Sequence, residues 1–139
     1  MSETNRAFLS LFHIGISIQT LNKRSEKKLG LSLVQWCFLR SLIDMPSTSA
    51  NALSAAVGVH PSTLTQTLKR LERKDFIFIA EDPKDSRKKL ISITRNGKNT
   101  LERVSRDMSR WAKDLSILDS DLHRLNSDLH EQLSKSTSR

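Results

Sequence analysis

Cysteine, glycine and proline are scarce in this chain, and each scarcity excludes something. Cys37 is the only cysteine among 139 residues, so no intramolecular disulfide can form. Four glycines and three prolines leave few natural breakpoints, which favours a mainly helical chain. Hydrophobic residues make up only 37%, low for a self-sufficient globule, so the core is expected to be finished by pairing with a second copy. No apolar run approaches the ~18 residues of a membrane span. The N-terminus lacks a cationic segment followed by a signal-type apolar core, so no membrane partner and cytoplasmic residence are expected. No repeat or low-complexity segment divides the chain, and one domain is expected over residues 1–139.

Catalytic signals are missing too. There is no Ser/His/Asp order, no paired carboxylate in a pocket-like context and no Gly-rich phosphate loop. No catalytic residue, enzyme activity or cofactor is therefore expected. His123 and His130 share a helix face but stand seven residues apart, two turns from each other, too far to chelate one ion, so no metal site is expected. Cys37 lies between Trp36 and Phe38 on an apolar helix, where a thiol stays protonated and inert.

What the chain has is positive charge, unevenly placed. The formal net charge is +8, which points to a polyanionic partner. Residues 60–103 hold eleven Lys/Arg against six Asp/Glu, a local +5, whereas residues 104–139 hold six of each. The middle of the chain suits phosphate, and the neutral last third can pair with its own copy without repulsion.

Hydrophobic spacing divides the chain into helices. Residues 5–28 carry Ala7, Phe8, Leu11, Phe12, Ile14, Ile18 and Leu21 at steps of three and four, then turn basic from Asn22 to Lys28. Gly30 suits a helix end and Ser32 a new start. A second helix, 33–44, is expected to be largely buried through Val34, Trp36, Cys37, Phe38, Leu39, Leu42 and Ile43. Ser49 can cap a short helix, 50–57, which Gly58 ends. Pro61 sits at the first position of the next helix, where no donor is lost. After residue 94 a long seam of Leu101, Val104, Met108, Trp111, Leu115, Leu118, Leu122, Leu125 and Leu129 follows, with a break expected at Asp119-Ser120-Asp121. Phe8 and Leu11, with Leu115, Leu118, Leu122, Leu125 and Leu129, are the candidate dimerisation residues.

Residues 50–57, the turn Gly58-Val59-His60 and residues 61–73 meet the needs of a helix-turn-helix. Leu64, Leu68 and Leu71 form one apolar stripe on the second helix, and Ser62, Thr63, Thr65, Gln66, Lys69, Arg70 and Arg73 lie off it. Gln66 can bond an adenine through both amide atoms. Ser62 and Thr63 can reach phosphates or bases from the helix start, and Lys69, Arg70 and Arg73 suit phosphates. Two strand-type runs come next, Phe76-Ile77-Phe78-Ile79-Ala80 and Leu90-Ile91-Ser92-Ile93. The turn between them carries the cations Arg87, Lys88 and Lys89, which reads as a hairpin with a basic tip.

Here the residues match a family. Leu53-Ser54-Ala55-Ala56-Val57-Gly58-Val59-His60-Pro61-Ser62-Thr63-Leu64-Thr65-Gln66 resembles the helix-turn-helix of the MarR (multiple antibiotic resistance regulator) family. So do the wing, Asp82-Pro83-Lys84-Asp85-Ser86-Arg87, the following Leu90 to Thr94 with Gly97, and Gly30-Leu31-Ser32 with Gln35 and Leu39. The resemblance implies a mainly α fold. Its lobe, 32–94, is a winged helix-turn-helix of three helices and a β-hairpin wing, and helices at 5–28 and 96–136 form a dimerisation region. It implies a homodimer that binds a pseudo-palindromic operator in double-stranded DNA, usually as a repressor. By the same resemblance Arg87 enters the minor groove, where a narrow, negative groove attracts arginine without base-specific bonds. Asp85 shapes the wing, and Lys84 and Lys88 join Arg87 on its DNA side. Ser54 stands where relatives often have alanine, which leaves the turn intact; Gln66 stands where many have arginine, so a different operator is expected.

Family members also respond to small aromatic acids, oxidants or metals. The family's redox cysteine and paired metal-sensing histidines have no counterpart here. His13, Ile16, Trp36 and Arg40 form a candidate effector pocket, with Arg40 as carboxylate anchor, for an unidentified small molecule. The competing reading is an architectural protein that binds DNA by charge and bending alone.

Overall fold

In a computed structural model, which describes residues 1–137, the chain forms two compact units, Met1–Arg106 and Asp107–Arg139. Local capping sets most helix ends. Helix α1 (Glu3–Leu29) starts where the Ser2 side chain accepts from the N–H of Asn5, and ends at Gly30. Gly30 closes α1 with φ of 90°, and Gly58 takes a φ of 79° after Val57, a region that side chains with a Cβ rarely enter. Helix α2 (Leu33–Asp44) opens with a reciprocal capping box between Ser32 and Gln35. Ser49 caps α3 (Ala50–Val57), and α4 (Pro61–Arg73) follows the Gly58 turn.

Strands β1 (Ile77–Asp82) and β2 (Asp85–Ile93) form an antiparallel hairpin with Ile77 opposite Ile93 and Glu81 opposite Lys89. Both strands outrun the apolar segments that signal them in the sequence. Ladder hydrogen bonds use the backbone, so pairing continues into polar residues of a solvated ribbon. Thr48 and Ile91 exchange backbone bonds of 3.1 and 2.7 Å, fastening the wing to the loop before α3. Helix α5 (Arg95–Trp111) starts at Thr94, whose Oγ1 accepts from the N–H of Gly97 at 2.9 Å.

Phe38, Leu31, Leu39, Leu42, Leu53, Leu71 and Val104 are fully buried and form the centre of the first unit. Among the described residues, every buried side-chain polar atom has a hydrogen-bond partner. Ser25 and Leu29 are the buried residues of α1, so this helix is anchored at its C-terminal end. There Ser25 Oγ donates to Leu31 O at 2.7 Å, and Asn22 Oδ1 accepts from Val34 N at 3.2 Å.

Two sequence expectations need correction. Helix α2 is not buried throughout: Phe38, Leu39 and Leu42 are enclosed, Val34, Trp36 and Cys37 are half-buried, and Ile43 is exposed. A helix packed along one stripe leaves part of even an apolar circumference outside. The break in the C-terminal seam is also earlier than Asp119-Ser120-Asp121. A 3₁₀ helix (Lys113–Leu118) occupies the break, and α6 (Asp119–Ser136) begins without a side-chain cap. Asp119 and Asp121 lie inside the first turn of α6, where carboxylates favour the positive end of the helix dipole without capping it.

Candidate nucleic-acid interface

Helix α4 has one face in the core and one in water. Leu64, Leu68 and Leu71 are buried, while Ser62, Thr63, Thr65, Gln66, Lys69, Arg70 and Arg73 are all exposed. The turn before α4 is held from both sides. Ser54 Oγ donates to Val59 O at 2.6 Å, and His60 Nδ1 accepts from the N–H of Ser62 at 3.2 Å. Ser54 is buried. Thr65 Oγ1 donates to Pro61 O at 3.1 Å and Arg73 Nε to Lys69 O at 3.3 Å, so both bond within the helix.

A groove borders α4 on each flank. On one side Thr65, Leu68, Lys69 and Glu72 face Ile79, Glu81 and Lys89 of the wing across about 490 Å³. On the other, Thr63, Gln66 and Arg70 face Asn22 and Glu26 of α1 and the start of α2 across about 190 Å³. The polar face of α4 is thus framed by the hairpin and by the end of α1.

Inside the wing, Asp82 Oδ1 accepts from Lys84 N at 2.9 Å. Asp85 Oδ1 accepts from both the backbone N–H and the Nε of Arg87, at 3.1 and 3.2 Å. Arg87 remains 90% exposed while Asp85 is 30% exposed, so the arginine projects from a tip that the aspartate holds. Lys84 and Lys88 are exposed beside it.

The candidate effector residues lie on α1 and α2. Trp36 Nε1 donates to Ser105 Oγ of α5 at 2.9 Å, and Arg40 pairs with Asp44 at 3.2 Å. His13 and Ile16 are exposed on α1. Arg40 borders a groove of about 410 Å³ with Ile43, Lys98, Leu101, Glu102 and Arg106, so its neighbours come from α5. Cys37 is half-buried, and desolvation pushes its thiol pKa up.

Phe8 is exposed and Leu11 half-buried on α1. Leu115, Leu118 and Leu122 are exposed in the second unit, with Leu125 and Leu129 half-buried. Among the described residues no three His, Cys, Asp or Glu side chains gather to hold a metal ion, and no helix is long and apolar enough to cross a membrane.

Sequence reasoning missed Lys74. Its Nζ reaches Gly30 O and Gln35 Oε1, each at 3.4 Å, and Glu26 Oε1 at 3.9 Å, tying the end of α4 to α1 and α2. Nothing near Lys74 in sequence signals these partners.

Comparison with known proteins matches this geometry. The model of the MarR family matches residues 29–88, from the end of α1 through the wing tip. The transcriptional activatory protein BadR of Rhodopseudomonas palustris is 27% identical over 107 residues, 73% of this chain. The match spans 60% of the length of BadR. A solved MepR-like protein complexed with pseudoligands is 26% identical with a TM-score of 0.73, over 93% of this chain and 94% of that one. A mutant of MarR from E. coli, complexed with operator DNA, shares the fold with a TM-score of 0.74 at 18% identity, over 93% and 99%. In its helix-turn-helix, its wing and its fold, the chain is similar to the MarR family.

Proposed function

We propose that this chain is a homodimeric, sequence-specific DNA-binding regulator of transcription, acting as a repressor on a pseudo-palindromic operator. One observation carries the reading: the exposed polar face of α4 stands beside a wing whose Arg87 is held outward by Asp85. Gln66 reads a base edge in the major groove, Lys69, Arg70 and Arg73 neutralise phosphates, and Arg87 enters the minor groove. The operator bound by E. coli MarR, a protein of the same fold, supports this.

Dimerisation is supported by apolar side chains left in water. Phe8 and Phe12 are 68% and 64% exposed in the first unit, and Leu115 and Leu122 are 44% and 49% exposed in the second. A second copy covering such faces removes that apolar area from water. A small effector releases the DNA in this reading. The groove that joins Arg40, Lys98 and Arg106 to Ile43 and Leu101 offers it charge and apolar wall together.

Selection of bound duplexes from a random pool at fixed moderate salt tests the proposal. An inverted repeat with half-sites about one helical turn (~34 Å) apart is the expected product. Recovery of nothing better than AT-rich composition would replace it with an architectural role.

A further inference from the structure

The basic end of α1 is not used by the winged helix, yet it lies beside α4. Residues 22–28 contain Lys23, Arg24, Lys27 and Lys28 against the single acid Glu26. Glu26 is engaged by Lys74 at 3.9 Å, which offsets the one negative charge of the segment. Lys23 and Lys27 are exposed and form no ion pair among the described residues.

Placement gives these two lysines a direction. Asn22 and Glu26 line the narrow groove whose opposite wall is Thr63, Gln66 and Arg70 of α4. At roughly 100° per residue, Lys23 and Lys27 follow Asn22 and Glu26 round the helix, one turn apart on a shared solvent face. Ser25 and Leu29, which anchor this end of α1, point into the core instead. The anchor is firm, since Asn22 accepts from Val34 N and Ser25 donates to Leu31 O. Ordering these lysines against a ligand therefore requires no movement of the helix itself.

Charge on both flanks of a recognition helix has a simple use. A helix inserted in the major groove lies between two phosphate backbones. The wing side of α4 presents Lys69 and Lys89, and the α1 side presents Arg70 with Lys23 and Lys27 beyond it. We propose that Lys23 and Lys27 bind the DNA backbone on the bank of the major groove opposite the wing, so that α1 is part of the DNA-binding surface. The partner is duplex phosphate, recognised by charge rather than sequence. This rests on the DNA-binding reading of α4 and the wing, and it extends the contact surface to the C-terminal end of α1.

The test is the salt dependence of binding to a random-sequence duplex pool, which needs no knowledge of the operator. Full-length wild type is compared with a Lys23→Gln/Lys27→Gln variant and with an Arg124→Gln/Lys135→Gln variant, which removes the same charge from α6. Loss of two phosphate contacts is expected to make the plot of log K against log salt shallower by about 1.8. Affinity at about 0.1 M salt should fall roughly tenfold or more, while the α6 variant keeps the wild-type slope. Both α1 lysines are exposed, and circular dichroism melts verify that the variant folds. Phosphate-ethylation interference on the single duplex recovered by selection gives a second readout: the variant should lose sensitivity at phosphates on the bank away from the wing. A wild-type slope and an unchanged interference pattern overturn the proposal. If wild type itself binds duplex without salt dependence, the DNA-binding reading fails first, and that result is separable from this one.

Discussion

Asp85 holds Arg87 through a single carboxylate oxygen, which accepts from the arginine's backbone N–H at 3.1 Å and from its Nε at 3.2 Å. The contact is local, two residues in span, and it fixes both the turn and the direction of the guanidinium. Such an exposed pair contributes little to folding, ~0–1 kcal/mol. In the proposed function its effect belongs to binding, because an arginine already pointed outward would lose less rotamer freedom on entering a groove.

Asp85→Ala is therefore expected to weaken DNA binding roughly threefold to tenfold at matched salt while leaving the melting temperature nearly unchanged. The sign is diagnostic. Removing an acid raises net positive charge, so a purely electrostatic role predicts tighter binding. A titration of labelled duplex beside a thermal melt separates the two.

Gln66 faces away from the Leu64, Leu68 and Leu71 stripe and is exposed. Gln66→Ala should relax preference at one base pair per half-site, at a cost of ~1–3 kcal/mol there. Competition among operator variants, once the operator is selected, reads this out. Equal losses on every sequence would make Gln66 a backbone contact.

Leu115→Glu with Leu122→Glu places two charges on apolar side chains that are 44% and 49% exposed. A monomer by analytical ultracentrifugation is the expected result, since burying unpaired charges in an interface is strongly unfavourable. A persistent dimer would move the interface to another surface.

Gly97 sits on α5 where the chain passes close to β1. A Cβ there would collide with the backbone oxygen of Phe76 and lie 2.8 Å from Ile93 Cγ1. Gly97→Ala is expected to cost ~1–3 kcal/mol through overpacking against backbone, which cannot swing aside. Urea unfolding gives the number, and a wild-type midpoint would show that α5 slides freely.

Burial pushes the Cys37 thiol up. Between the ordinary thiol pKa and the raised native one, the unfolded chain ionises while the native thiol stays protonated. Stability from this group is therefore full below the ordinary value and is lost as pH rises through the native one. Alkylation at about pH 8.5 should be slower in native protein than in urea. The urea midpoint should fall more steeply above that pH than it does in Cys37→Ala. Equal alkylation rates would show the thiol open to solvent.

What the residue order determined by itself is whatever short-range chemistry decides. Helix ends at Gly30, Ser32, Ser49, Gly58 and Thr94 follow from caps whose partners lie three or four residues away. The stripe of α4 and the basic hairpin likewise depend on period and turn residues alone, and so the exposed polar face of α4 was legible. Tertiary structure decided the rest. Trp36 finds Ser105 across 69 positions, and Lys74 finds Glu26, Gly30 and Gln35, because folding brings separate elements within hydrogen-bond reach. Which side of α2 is exposed, and where the C-terminal seam breaks, depend on what packs against each helix. An apolar period marks a face for burial, but only the neighbours that arrive determine how much of it is covered.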